Sequence, residues 1–326
     1  VMHLSLPYVQ WMLAGSPLLF VYIIYTSILR GVGDSITPLI ALGMTSLIGL
    51  VITPVLIGGY FGFPKMGIVS PAIATIFGYV LVLGFLAIYL NKKNHPLKPD
   101  WALLRHIRHN REVSPLILRL GIPTGIQMIT TSVAGLVIVG LVNRFGANAT
   151  AAYGAVNQVL NYIQFPALSI SIAASIFGAQ AIGMGKSDLL SRVTRTALGM
   201  NIAITGSLVV LAYLFSKYLM ALFITDPSVV ELGQELLFIV LWSILFFGAG
   251  SIFASIMRAS GTVNVPMIIN IVAILLIEVP CAYWFSSMWG LKGIWIAYAL
   301  AFVCLSFLQA AYYQFVWKKK AVRALI

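Results

Sequence analysis

Apolar residues along this chain gather into nine long runs separated by short polar interruptions, at about 8–30, 36–58, 68–91, 115–142, 152–181, 191–216, 229–258, 264–286 and 291–317. A hydrocarbon core about 30 Å thick needs roughly 20 residues of helix at 1.5 Å rise each, and every run reaches that length. Unpaired backbone groups are not tolerated in lipid, so each run predicts a helix rather than an open strand. The expected fold class is therefore all-α, a polytopic membrane protein with nine transmembrane helices.

The pattern repeats. Ile28 to Ile40 reads ILRGVGDSITPLI, and Ile256 to Ile268 reads IMRASGTVNVPMI. Arg30 and Arg258, like Pro38 and Pro266, stand 228 residues apart; Pro54 and Pro280, Gly67 and Gly293, and Lys92 and Lys318 stand 226 apart. Shared Arg, Pro and Gly positions point to an internal duplication, a common plan of secondary transporters, with chance likeness of two apolar hairpins as the alternative. The last three runs repeat the first three, yet three further runs precede the last three within their own half. Their counterparts are expected before Val1, in about 110 residues, giving twelve spans in two six-helix lobes. A nine-span protein is the alternative. The domain reading is residues 1–91 as the last three helices of an N-lobe, 92–114 as a basic linker, 115–317 as a complete C-lobe, and 318–326 as a basic tail.

Composition agrees with a bilayer as solvent, since the chain is 60% hydrophobic, 9% charged and has a mean hydropathy of +1.00. Its net charge of +12 does not call for nucleic acid, because the basic residues lie between the apolar runs. Placing the 92–114 loop in the cytoplasm puts 16 of the 20 Lys and Arg on that side, so the linker and the C-terminus are expected there. Within the linker, Trp101, Leu104 and Ile107 recur at helical spacing opposite Arg105, Arg108 and Arg111, which predicts a short surface helix. Cys281 and Cys304 sit inside apolar runs and suggest neither a disulfide nor a metal site.

Polar side chains inside the runs carry the candidate chemistry. Glu278 lies 14 residues into the eighth run, about 21 Å from its start, and an acid at that depth is a candidate for ion coupling; hydrogen bonding to a neighbouring helix beside Pro280 is the other reading. In the fifth run Tyr153, Asn157, Asn161, Gln164, Ser171 and Ser175 share one face, and Gln127 and Thr131 form an i, i+4 pair in the fourth. A polar stripe faces either a wet substrate cavity or other helices. Tyr22, Trp242 and Phe246 are possible aromatic lining for a cation. Arg30 and Arg258 read as helix-closing residues at the cytoplasmic face, and Glu231 and Glu235 as acids near a helix N-terminus after Asp226-Pro227. His3, His95, His106 and His109 lie outside the deep spans and form no ligand or catalytic cluster, so an enzyme is not expected.

The motif Arg30-Gly-x-Gly-Asp-x-x-x-Pro38, the Gly121-Ile-Pro123 opening of the fourth run, the Gln180-Ala-Ile-Gly-Met-Gly-Lys186 loop and the Gly293-Ile-Trp295 run resemble the multidrug and toxic compound extrusion (MATE) family. The resemblance covers nearly the whole chain. It implies two lobes about a pseudo-twofold axis, a central cavity, and export of drugs or organic cations against Na+ or H+, with no cofactor. It also implies a bacterial plasma-membrane protein whose partners are the bilayer and small organic cations, working as a monomer without nucleic acid. Relatives carry coupling acids in the first span of the first lobe, or in the first and fourth of the second. Ile129 to Ser132 holds none, so a family-type acid is expected upstream of Val1. A flippase for lipid-linked sugars is the alternative carrier; its anionic substrate would favour basic residues deep in the spans, where the sequence shows none.

Overall fold

The computed structural model describes residues 2–95, 97–98, 113–186 and 188–319, with side chains from Leu6 onward. Among them nine helices are long and apolar enough to cross a membrane: α1 (Leu6–Gly31), α2 (Ile36–Gly58), α3 (Gly67–Lys92), α4 (Val113–Phe145), α5 (Ala147–Gly183), α6 (Leu189–Leu214), α7 (Pro227–Ala259), α8 (Asn264–Trp289) and α9 (Leu291–Lys319). Each matches one predicted run. The largest departure is α5, whose 37 residues start five earlier than its run, because Asn148 and Thr150 lower the local hydropathy without breaking the helix. The anticipated surface helix at 101–111 and the tail beyond Lys319 lie outside the described residues.

The chain forms two compact units, Val1–His109 and Asn110–Ile326. In the first, α1, α2 and α3 enclose a core of Tyr22, Leu29, Ala41, Val82, Leu86 and Leu90. The turn into α2 is tied by Asp34, which accepts from the Thr37 amide at 3.0 Å and its hydroxyl at 2.6 Å, pairing two donors that the helix start leaves free. Partial burial raises the Asp34 pKa, but the Thr37 bonds and nearby His95 outweigh it and hold the carboxyl below its ordinary value. His95 Nε2 lies 3.9 Å from that carboxylate, and the Tyr25 hydroxyl donates to the Leu97 carbonyl at 2.7 Å. Arg30 donates within its own helix to Ser27 Oγ at 3.1 Å.

The second unit contains α4 to α9, with α5, α7 and α9 supplying most of its core around Val156, Leu236, Leu237, Ile294 and Trp295. Small residues let these helices approach, as lipid-immersed packing requires: a Cβ on Gly250 of α7 would sit 3.2 Å from the Ser306 Cα of α9. Two helices contain π turns. In α6, at Asn201–Thr205, the Asn201 amide leaves its own helix to donate to the Leu245 carbonyl of α7 at 3.1 Å and accepts from Thr205 at 3.1 Å. In α8, Ala273–Glu278 is π-helical immediately before Pro280, whose missing N–H and ring disrupt the regular ladder.

Turn chemistry follows the sequence closely. Asp226 caps α7 through the Ser228 amide at 2.9 Å, with Pro227 in the first turn where its missing N–H is harmless. The acids behind it correct the sequence reading: Glu231 and Glu235 lie beyond the first turn, and Glu235 pairs with Lys292 of α9 at 2.8 Å. Single glycines join α4 to α5 and α8 to α9. Gly146 has φ 93° and ψ 178°, and Gly290 φ 59° and ψ −140°, conformations closed to residues with a Cβ.

Candidate functional site

Side chains from α4, α5, α7, α8 and α9 surround a cavity of about 620 Å³ inside the second unit, within the usual size of a small-molecule pocket. Helical spacing explains which residues reach it. On α8, Pro266, Asn270, Ile274 and Glu278 follow one another at steps of four; on α9, Tyr298, Phe302, Leu305 and Gln309 do so at steps of three or four. The polar stripe of α5 delivers Asn157, Asn161, Gln164 and Ser171, while Gln127, Thr131 and Ser132 enter from α4.

Local hydrogen bonds decide what these groups present. The Asn157 side-chain amide donates back to the Tyr153 carbonyl of its own helix at 3.0 Å. Thr131 donates back to the Gln127 carbonyl at 3.0 Å, the usual way a hydroxyl is satisfied inside a lipid-immersed helix. Glu278 is buried, with 9% of its surface accessible, and makes no hydrogen bond or ion pair among the described residues. It borders the cavity at the end of the π turn.

Of the residues singled out from sequence, Gln127, Thr131, Asn157, Asn161, Gln164, Ser171 and Glu278 come together here. Tyr153 does not. Its ring packs against Trp295 at 5.2 Å in the core, and its hydroxyl lies 3.1 Å from the hydroxyl of Tyr298, which does line the cavity. Ser175, one turn beyond Ser171, is also outside the lining. The aromatic expectation shifts as well. Tyr22 packs on Tyr79 in the first unit, and Trp242 and Phe246 pair edge to face at 5.8 Å, whereas Phe247, Tyr298 and Phe302 are the aromatics at the wall.

Sequence reasoning missed Ser251, Asn270, Tyr298 and Gln309, and it assigned Arg258 only to helix closure; all five border the cavity. Asn270 and Gln309 had a signal, being side-chain amides within apolar runs on the face their helices share with Glu278 or Tyr298. Arg258 had none, because its position at the end of α7 fits either a cytoplasmic anchor or a lining residue. Among the described residues no group of three or more His, Cys, Asp or Glu is arranged to hold a metal ion.

Known proteins resemble this chain in sequence and in fold. The MatE family model matches residues 123–284. A Bacillus subtilis protein described as probable multidrug resistance protein YoeA is 43% identical over 328 residues, an alignment spanning all of this chain and 71% of that protein. A second from the same organism, probable multidrug resistance protein YpnP, is 28% identical over 94% of this chain and 67% of its own length. Two solved structures share the fold: an outward-facing multidrug resistance MATE family transporter, with a TM-score of 0.86 at 22% identity over 95% of this chain and 68% of that one, and the Vibrio cholerae MATE transporter VcmN in the bent form, with a TM-score of 0.81 at 19% identity over 94% and 68%. With a relative this similar along the whole of this chain, a matching family model and the same helical fold, the chain belongs to the MatE family of membrane transporters, the multidrug and toxic compound extrusion proteins.

Proposed function

We propose that this chain works as a secondary active exporter of drugs and other small amphipathic organic molecules, driven by antiport of Na+ or H+ in a bacterial plasma membrane, with its linker and C-terminus in the cytoplasm. The cavity of the second unit is the substrate site in this reading, and the lobes rock to open it to either side. The observation that carries the reading is the convergence of amide and hydroxyl side chains from α4 and α5 with Glu278, a buried acid within α8 that makes no hydrogen bond or ion pair among the described residues. Such a group is costly in lipid and is retained where it binds an ion or a substrate. The multidrug names of the B. subtilis relatives point the same way.

Glu278 is the coupling group in this reading: ion occupancy of its carboxylate and substrate occupancy of the cavity alternate. Everted vesicles loaded with the full-length protein provide the test, with dye accumulation followed after an imposed Na+ or H+ gradient. Glu278→Gln is expected to reduce the gradient-driven rate by about tenfold or more while dye still binds. Export that responds to neither ion in the unaltered protein would sink the antiport reading; full coupling in Glu278→Gln would move the coupling group elsewhere.

A further inference from the structure

We propose that at the end of this cavity beside the α7–α8 turn Arg258 takes the carboxylate or phosphate of an amphipathic organic solute, whose adjoining N–H or O–H groups donate to the side-chain oxygens of Asn270 and Gln309. The inference rests on the reading of this cavity as the substrate site and adds the class of substrate that it selects.

Arg258 is the first observation. The residue borders the cavity, is half-buried, and makes no side-chain hydrogen bond or ion pair among the described residues. The matching stretch of the first unit gives a comparison. Arg30 donates to Ser27 at 3.1 Å, and Asp34, four residues further on, bonds to Thr37 and lies near His95. In the second copy Ser255 and Thr262 hold those places, so the serine is kept, the acid is gone, and Arg258 bonds neither. A guanidinium keeps its charge, and a half-buried cation without a counter-charge is costly unless something else supplies one. Its planar fork of N–H donors fits a carboxylate or phosphate with two parallel bonds.

The amides beside it are the second observation. Gln309 is 1% exposed; its Nε2 donates to the Pro266 carbonyl at 3.1 Å, which fixes the amide orientation and leaves Oε1 buried with no partner. Asn270, one turn beyond Pro266 on α8, has a buried Oδ1 without a partner and an Nδ2 that makes no bond among the described residues. Native structures seldom leave such acceptors unpaired, and an acid-bearing solute with an adjoining N–H or O–H satisfies them together with Arg258. Glu278 does not neutralise this end. It stands eight residues from Asn270, about 12 Å along α8, so the cavity is cationic near the turn and acidic in its depth. A purely cationic solute meets repulsion at Arg258, and one with an acid group meets attraction.

Two matched pairs of fluorescent probes test this in the full-length, detergent-solubilised protein: a carboxyl-bearing rhodamine with its methyl ester, and riboflavin phosphate with riboflavin. The readout is the ratio of the two dissociation constants within each pair. The acid is expected to bind about tenfold or more tightly than its neutral partner. In Arg258→Gln that ratio collapses to near one, and Arg258→Lys, which restores charge without the fork, recovers part of it. A ratio held by only one pair assigns the subsite to carboxylate or to phosphate. A ratio near one in the unaltered protein, or one that survives Arg258→Gln in protein of unaltered melting temperature, overturns the proposal. If neutral and cationic dyes are bound and exported without discrimination, the oxyanion subsite fails and the exporter reading stands. If no probe binds at all, both fail.

Discussion

Asp34 shows how one side chain can close a membrane hairpin. Its carboxylate pairs the Thr37 amide and hydroxyl at the start of α2, a contact whose loss costs about 1 kcal/mol at a typical helix start. Because the folded pKa is lowered, the stabilisation is complete above the unfolded value of about 3.9 and disappears as pH falls through the folded value. Asp34→Ala is therefore expected to speed amide exchange in the first turn of α2 at neutral pH, with the difference from the native protein vanishing in acid. An equal difference at every pH would contradict the assignment. This cap was legible only as a motif. The spacing of Asp34 and Pro38 was visible, but which donors the carboxylate meets depends on turn geometry. Arg258 illustrates the opposite case: its identity and position at the end of α7 were plain, and the direction of its side chain was not.

At the scale of whole helices, hydropathy located every span, because length and apolar content are set by the bilayer. Faces were harder to read. The α5 stripe from Asn157 to Ser171 lies along the cavity, since polar groups on an apolar helix mark their own side, whereas Tyr153, at the same spacing, turns into the core with Trp295. Phe247 lines the cavity while Phe246 faces Trp242, a difference of one residue and about 100° around the helix. The π turns were also hidden. Pro280 announces a break in α8, but the Asn201 turn of α6 coincides with a long-range side-chain bond to Leu245 that no local pattern contains. Gly248 makes that bond possible, as a Cβ there would collide with the Asn201 amide. Gly248→Ala should destabilise the second unit by about 1–3 kcal/mol. Combined with Asn201→Ala its effect should be less than additive, which thermal melting of the four proteins will show. Strict additivity would separate the two residues.

For the molecule as a whole, the proposed orientation rests on charge alone, and labelling tests it. Lys186 and Lys217 are exposed residues at opposite ends of α6. In a background lacking Cys281 and Cys304, Lys186→Cys should react with a membrane-impermeant maleimide from the cytoplasmic side and Lys217→Cys from the other. Reaction of both from one side would break the threading of the spans. The likeness of the two stretches was readable from Arg, Pro and Gly because those residues mark turns, and so was the exchange of Asp34 for Thr262, whereas the partners of each side chain were not.

The single-glycine links have a bearing on how the protein is made. With only Gly146 between α4 and α5, and only Gly290 between α8 and α9, the nascent chain has no slack in which one helix could settle in the bilayer while the next waits outside. Each pair is expected to enter the bilayer as a hairpin. Insertion at these places would then advance two helices at a time, with the smallest residue in the chain setting the stride.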